Sequence, residues 1–272
     1  MTRPRRRTAT ARRGGSGEWR RPGRSRPSSG RRPSRSGNPV AQADVTAMFD
    51  EIAPVYDRLN TVMTAGRDAA WRRAAVRAAG IGRDAAVLDA ACGTGRLAGL
   101  LAEVVGPFGR VVGVDLAEAM IARARRDHRD VVQLEFEVAS VLALPFEDAS
   151  FDAATIAFGL RNLSNYEAGF RELARVVRPN GRVVCLELTV PRPAIWGRLF
   201  LASFHRLAPL AGRLFGVSET YRYLPESLED FPSADELAAT MDRAGLEDVA
   251  YRTLGLGSVA LHVGVAAGGG RG

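Results

Sequence analysis

The chain predicts an α/β protein: a mainly parallel sheet covered by helices on both faces, with an antiparallel C-terminal edge hairpin and a helical insertion. Three observations carry this. From residue 86 onward, short apolar runs alternate with stretches of helical periodicity, the signature of parallel strands joined by crossover helices. The last two strand-like runs follow one another with no helix between them, which makes them an antiparallel pair. Residues 191–225 stand between the fifth strand and the last helix and carry aromatic and leucine side chains at roughly helical spacing.

Each element has a local reason. Val45, Met48, Phe49 and Ile52 recur at helix spacing until Pro54 interrupts. A helix is predicted over Asp68–Ala79, with an acid near its start and Gly80 after its end. Ala86–Ala90 (AVLDA) reads as a buried strand, 97–105 as a helix stopped by Gly106-Pro107, and Arg110–Asp115 (RVVGVD) as the second strand. A helix over 117–127 leads to a third strand over 131–138, and 151–158 (FDAATIAF) is the fourth. The stretch 166–177 is helical and ends before Pro179-Asn180-Gly181; 182–189 (RVVCLELT) is the fifth strand. Ser233 caps a helix over 233–244, and Glu236 three residues on completes a capping box. Strands near 247–254 and 258–266 follow. This order is that of a Rossmann-like, doubly wound sheet.

Composition excludes several classes. Hydrophobic residues make up 46% of 272, enough for a packed core, so a chain disordered throughout is excluded. No apolar run reaches the roughly 18 residues of a membrane-spanning helix. Two cysteines, Cys92 and Cys185, and the scattered His128, His205 and His262 give neither a disulfide framework nor metal-ligand spacing, so no metal is expected. All 38 basic residues are arginine. The absence of lysine excludes a Schiff base, a P-loop and a Tyr-x-x-x-Lys dehydrogenase pair.

The net charge of +8 belongs to one end. Residues 1–40 hold 13 arginines against the single acid Glu18, whereas 41–272 hold 25 arginines against 29 acids. Residues 1–40 are Arg, Pro, Ser and Gly with almost nothing apolar, so a disordered tail is expected there and a loose end over 268–272, with the folded domain over 41–267. Arg5-Arg6-Arg7 lacks the apolar segment of an export signal, so a cytoplasmic location is expected. The tail keeps three readings. It is a solvated extension, such as a misassigned start would add, or a tether to anionic lipid worth roughly 1 kcal/mol per charge. The third reading is a nucleic-acid arm with Trp19 as its only aromatic. The acidic body makes nucleic acid the least favoured partner.

The chemistry is written after the first strand. Residues 89–95 read Asp-Ala-Ala-Cys-Gly-Thr-Gly, where Gly93 and Gly95 let the backbone turn sharply and approach a ligand. Asp115 ends the second strand, placed to accept hydrogen bonds from both ribose hydroxyls. Gly93-x-Gly95-x-x-Ala98 also fits a dinucleotide fingerprint, and a tight turn with no ligand is the bland alternative. Asp89 favours S-adenosylmethionine over NAD, because a carboxylate there repels a pyrophosphate and suits an α-amino cation. Ser140 and the backbone of Val141 follow the third strand, where the adenine edge would lie; Leu144-Pro145-Phe146 beyond them reads equally as an apolar turn.

These pieces resemble the class I S-adenosylmethionine-dependent methyltransferases. The likeness sharpens at Phe158-Gly159-Leu160-Arg161-Asn162, at Tyr221-Arg222-Tyr223-Leu224-Pro225-Glu226-Ser227 and at Val259-Ala260-Leu261-His262. With the opening Met48-Phe49-Asp50-x-Ile52-Ala53-x-x-Tyr56-Asp57, they resemble the demethylmenaquinone / 2-polyprenyl-benzoquinol C-methyltransferases of quinone biosynthesis, over about 44–266. The resemblance implies cofactor contacts at Thr94, Asp115 and the Ser140-Val141 pair, the last standing where that family often has Asn-Ala. It implies transfer of a methyl group from S-adenosylmethionine to a ring carbon of a prenylated hydroquinone. The GC-rich look of the chain, which resembles actinobacterial proteins, favours demethylmenaquinol over a ubiquinone precursor.

That reaction needs the ring carbon in line with methyl and sulfur at about 3–3.5 Å, positioning worth roughly 7–11 kcal/mol. The ring carbon gains nucleophilicity when a neighbouring hydroxyl loses its proton. Arg161 is the candidate for favouring the phenolate through its permanent charge, with a loop-fixing salt bridge as the alternative. Asn162 is expected to orient the quinol oxygen. His262 is a second candidate, as proton acceptor or as a structural histidine at a strand end. Tyr56 and Tyr223 are expected to wall the substrate, or to belong to the core. In the insertion, Trp196, Phe200, Phe204, Leu207 and Leu214, punctuated by Arg198, Arg206 and Arg213, read as a lid helix or as a greasy surface for a prenyl tail. A prenylated substrate implies peripheral contact with the inner membrane face; the oligomeric state is open, a homodimer included. The rivals are a methyltransferase for another small phenolic or lipid metabolite, an NAD-linked oxidoreductase and an Arg-tailed RNA-binding protein.

Overall fold

A seven-stranded sheet organises the described residues. Its strands are β1 (Ala86–Ala90), β2 (Arg110–Asp115), β3 (Leu134–Val138), β4 (Phe151–Ala157), β5 (Val177–Leu188), β6 (Leu246–Leu254) and β7 (Val259–Ala266). They pair in the order β3-β2-β1-β4-β5-β7-β6. The computed structural model describes residues 18–22, 36–38, 40, 42–191, 195–197, 202, 206, 228 and 231–268. Tyr223, and with it most of the expected 191–225 insertion, lies outside the described residues.

Central position follows from composition. β1 and β4 are apolar at nearly every residue, not at alternate ones, and both of their faces are buried. β1 runs parallel to β2 and to β4, with Ala90 opposite Val114 on one side and Ile156 on the other, so the three strands end together. β7 enters antiparallel between β5 and β6, with Val259 opposite both Leu188 and Leu254. The expected C-terminal hairpin is therefore present, with β6 as its outer strand.

The helices are α1 (Gln42–Ile52), α2 (Tyr56–Met63), α3 (Asp68–Ala79), α4 (Arg96–Val105), α5 (Glu118–Asp127), α6 (Tyr166–Val176) and α7 (Ala234–Arg243). Helices α3, α4 and α5 pack through Val76, Leu101 and Ile121 on one face of the sheet; α6 and α7 pack through Phe170, Leu173 and Met241 on the other. Asn165 caps α6 by accepting the Ala168 N–H, and Ser233 with Glu236 forms the expected capping box on α7.

Two local features differ from expectation. Pro54 ends α1, but the chain resumes as α2 at once, and Leu59 buries completely beside Ile52, Ala53 and Met120. One fully buried apolar residue in eight is too little to announce a helix. Two pieces of the tail also lie on the body. Arg20 exchanges both backbone hydrogen bonds with Tyr251 on the open edge of β6, and the Arg252 guanidinium sits 5.0 Å over the Trp19 ring. Asn38 donates to the Leu163 carbonyl, and Tyr166 donates to that of Ser36. An unpaired sheet edge recruits backbone without needing apolar side chains, which is why composition alone missed the contact.

Candidate active site

Strand order reverses at β1, where the chain passes to β2 on one side and β4 on the other. Open α/β sheets carry their crevice at this point, beyond the carboxyl ends of the strands. A cleft opens there. The loop after β1 forms one wall through Ala91 and Gly93, both at positive φ (49° and 57°). A β-carbon on Gly93 would meet Tyr56 Cε1 at 3.7 Å, so the turn lies directly under that ring.

Asp115 lines the cleft and ties it together. Its Oδ2 accepts the Gly93 N–H at 2.8 Å and its Oδ1 the Ala117 N–H at 3.0 Å. Burial raises its pKa above the ordinary carboxylate value, and these backbone donors oppose the rise. The carboxylate, with about four lone-pair sites on its two oxygens, retains acceptor capacity for an incoming hydroxyl.

The other expected cofactor residues divide. Val141 lines the cleft, whereas Ser140 shapes the turn by accepting the Leu142 N–H at 3.2 Å. Beyond it, Leu144 is anchored by Glu172 and Phe146 packs edge-on against Phe151, so that segment is an apolar turn. Thr94 is buried and donates to Asp57 Oδ1 at 2.8 Å, which pins α2 over the glycine turn. Gly95 does not line the cleft; a β-carbon there would strike Phe136 at 2.6 Å, so this glycine serves the packing of α4. Asp89 lies beneath the turn, 1% exposed and off the cleft lining, with Oδ1 accepting the Thr155 hydroxyl at 2.8 Å. Burial pushes its pKa up to about 7, against the pull of that hydrogen bond, and Oδ2 has no hydrogen-bond partner among the described residues.

After β4 the chain is strained. Phe158 takes φ +61°, a region that costs a bulky residue roughly 1–3 kcal/mol. Its N–H donates to the Leu186 carbonyl at 2.8 Å, and its ring neighbours Trp71 and the Arg72 guanidinium. Gly159 follows so closely on Ala91 that a β-carbon would lie 2.4 Å from Ala91 Cβ. The 3₁₀ turn Leu160–Asn162 then presents the two candidates differently. Asn162 lines the cleft, and its buried Oδ1 has no partner among the described residues. Arg161 does not line the cleft; its guanidinium pairs with buried Glu187, whose Oε2 also accepts the Arg161 N–H and whose Oε1 accepts that of Leu188. The loop-fixing salt bridge is therefore real. Glu187 went unnoticed in the sequence, although a carboxylate inside the apolar run RVVCLELT was the available signal.

The fourth wall comes from the N-terminal helices. Val45, Thr46 and Phe49 of α1 and Tyr56 of α2 cover the cleft, with Tyr56 edge-on to Phe49 at 5.9 Å. Asp50 fastens this cover by accepting the Ala119 N–H, and Arg123 does so by donating to the carbonyls of Ala53 and Pro54.

His262 is the expectation that the geometry moves elsewhere. It is fully buried in β7 and absent from the cleft lining, with Nε2–H donating to the Ala234 carbonyl at 2.9 Å and its ring stacked on Tyr251. Burial pushes its pKa down to about 4, so it packs as a neutral ring under α7, the structural alternative. Between pH 6.5 and 4 the unfolded chain binds the proton that the folded chain refuses. Stability from this site is therefore complete above pH 6.5 and lost as pH falls toward 4. Going from pH 7 to pH 5 should cost about 2 kcal/mol here. Urea unfolding at the two pH values should show that drop in the wild type and a correspondingly smaller one in His262→Phe; equal drops would refute the assignment.

The cleft fits an adenosyl sulfonium. It offers an acidic acceptor at Asp115 for a diol, a glycine turn, apolar covers, and a buried oxygen on Asn162 that awaits a donor. Fold and site together define a class I S-adenosylmethionine-dependent methyltransferase. Comparison with known proteins agrees. Residues 38–266 match the ubiE/COQ5 methyltransferase family. The demethylmenaquinone methyltransferase of Thermus thermophilus is 46% identical over 219 residues, 80% of this chain and 99% of that one. The ubiquinone/menaquinone biosynthesis C-methyltransferase UbiE of Geobacter sulfurreducens is 39% identical, over 80% of this chain and 86% of that one. The chain belongs to the ubiE/COQ5 methyltransferase family.

Solved structures add the fold alone. A SAM-dependent methyltransferase from Aquifex aeolicus superposes with a TM-score of 0.53 at 18% identity, covering 72% of this chain and 89% of that one. The [4+2]-cyclase SpnF gives 0.63 at 17% identity, covering 86% and 100%. A cyclase on the same scaffold shows why activity has to be argued from the site.

Proposed function

We propose that the chain methylates a ring carbon of a prenylated hydroquinone, converting demethylmenaquinol to menaquinol. The single observation that carries this reading is Asn162: a buried amide oxygen on the cleft wall, without a partner among the described residues. It suits a donor such as a quinol hydroxyl. S-adenosylmethionine, when bound, supplies an electrophilic methyl on sulfur. The protein's part is to orient the acceptor ring, exclude water and favour loss of the hydroxyl proton. Phe49, Tyr56 and Phe158 give flat apolar walls for a ring. Arg161 lies one residue from Asn162 and holds a permanent charge near the same wall. The names of the relatives from Thermus thermophilus and Geobacter sulfurreducens favour the same substrate class.

A prenyl tail needs an apolar route. Among the described residues no helix is long and apolar enough to cross a membrane. Ile195 and Trp196, which follow β5 in the chain, are nevertheless largely exposed, which supports peripheral contact with the inner membrane face. A homodimer is compatible with this proposal. The test is transfer of label from methyl-labelled S-adenosylmethionine to demethylmenaquinol, beside a panel of short-chain quinols and unrelated phenols. Label is expected on the quinol ring and in greater yield with the prenylated acceptors. Label on an unrelated phenol alone would establish the rival methyltransferase and overturn this substrate.

A further inference from the structure

Arg72 is a buried cation that nothing above explains. It lies on α3, 6% exposed, with its guanidinium carbon 5.2 Å over the ring of the cleft residue Phe158. Its Nε is 3.7 Å from Asp68 Oδ2, and Arg96 Nη1 lies 2.7 Å from the same oxygen. Nε has no hydrogen-bond partner among the described residues. Two permanent cations therefore share one carboxylate, itself almost fully buried.

Such an arrangement is unfavourable unless something further answers the charge, since a buried ion needs both a counter-charge and hydrogen bonds. The π-face of Phe158 attracts the cation but accepts little from its N–H groups. Asp89 is near enough to feel Arg72, yet its carboxylate is turned to Thr155 and is partly protonated near neutrality. Arg72 is thus bounded by the end of β1 at Asp89, by the start of α4 through Asp68 and Arg96, and by the end of β4 at Phe158. Arg72 does not itself line the cleft; it borders it through Phe158, the lining residue whose ring its guanidinium covers.

We propose that Arg72 is the anion subsite of this cleft and pairs with the α-carboxylate at the amino-acid end of the cofactor. The inference rests on the methyltransferase reading for the identity of the ligand and adds the residue that grips it. A planar guanidinium with free N–H groups suits a carboxylate, and a dry site strengthens the pair. Asp115 and Arg72 then hold opposite ends of one molecule, which fixes the sulfonium between them.

The test is calorimetry on the full chain with two probes: S-adenosylmethionine and its decarboxylated analogue, the same sulfonium without the carboxylate. The wild type is expected to prefer the carboxylate form roughly 10- to 100-fold, the range of one charge-assisted interaction. In Arg72→Met and Arg72→Gln the preference should shrink to within about threefold, through loss of affinity for the carboxylate form alone. Circular dichroism identifies which variants fold. A merely structural Arg72 would weaken both probes equally and leave the ratio untouched. No preference in the wild type, or a full preference in a folded variant, overturns the subsite. Binding of neither probe by the wild type overturns the cofactor reading and the subsite with it.

Discussion

Asp115→Ala is expected to weaken S-adenosylmethionine binding by two to three orders of magnitude in calorimetry. The carboxylate has two duties, and the substitution ends both. It would accept the ribose hydroxyls, and it already accepts the Gly93 and Ala117 N–H groups that set the glycine turn against β2. Hydrogen bonds to a charged acceptor contribute about 1.5–3 kcal/mol each, and every 1.4 kcal/mol is a factor of ten in affinity. Losing one ribose bond and loosening the turn reaches the lower figure; losing both ribose bonds reaches the upper. Asp115→Asn keeps one acceptor oxygen and should fall between. Folding should suffer less than binding, because the cleft lets water take over the orphaned N–H groups. A dissociation constant within threefold of wild type for Asp115→Ala would remove this residue from the cofactor site.

The part of this site that sequence made legible is the part whose chemistry is local. Gly93, Asp115 and Val141 stand at strand ends, and the alternation of elements places strand ends at the crevice. The parallel strands were equally legible, because β1 and β4 are apolar at successive residues. What sequence hid is pairing at a distance. Thr94 looked like a ligand contact, but its hydroxyl is engaged 37 residues away by Asp57. His262 looked placed for chemistry, but where a residue sits along a strand does not say which layer its ring enters; it lies under α7. Arg72 reads as one arginine among 38, and only folding sets it over Phe158. Glu187 is the instructive omission. An acid within an apolar strand costs too much to bury alone, so its presence predicts a cationic partner, and the partner was Arg161.

That pair allows positioning to be separated from scaffolding. Arg161→Ala leaves Glu187 buried without its cation, and breaking such a pair typically costs about 3–5 kcal/mol of stability. A fall in activity from that variant alone would therefore say little. The double variant Arg161→Met with Glu187→Leu removes both charges, and an apolar pair of similar volume restores most of the stability. If Arg161 acts only by fixing the loop, the stable double variant should regain turnover. If its charge favours the quinol anion through the Asn162 wall, kcat should stay down by on the order of 10²–10³, with cofactor affinity within threefold of wild type. The pH profile adds a sign. A cation lowers the pKa of a nearby hydroxyl, so its removal should move the acid limb of kcat toward higher pH, a shift that a loosened loop does not produce. Full turnover with an unmoved acid limb in the double variant would reduce Arg161 and Glu187 to a brace, and the phenolate would then need another source of stabilisation on the cleft wall.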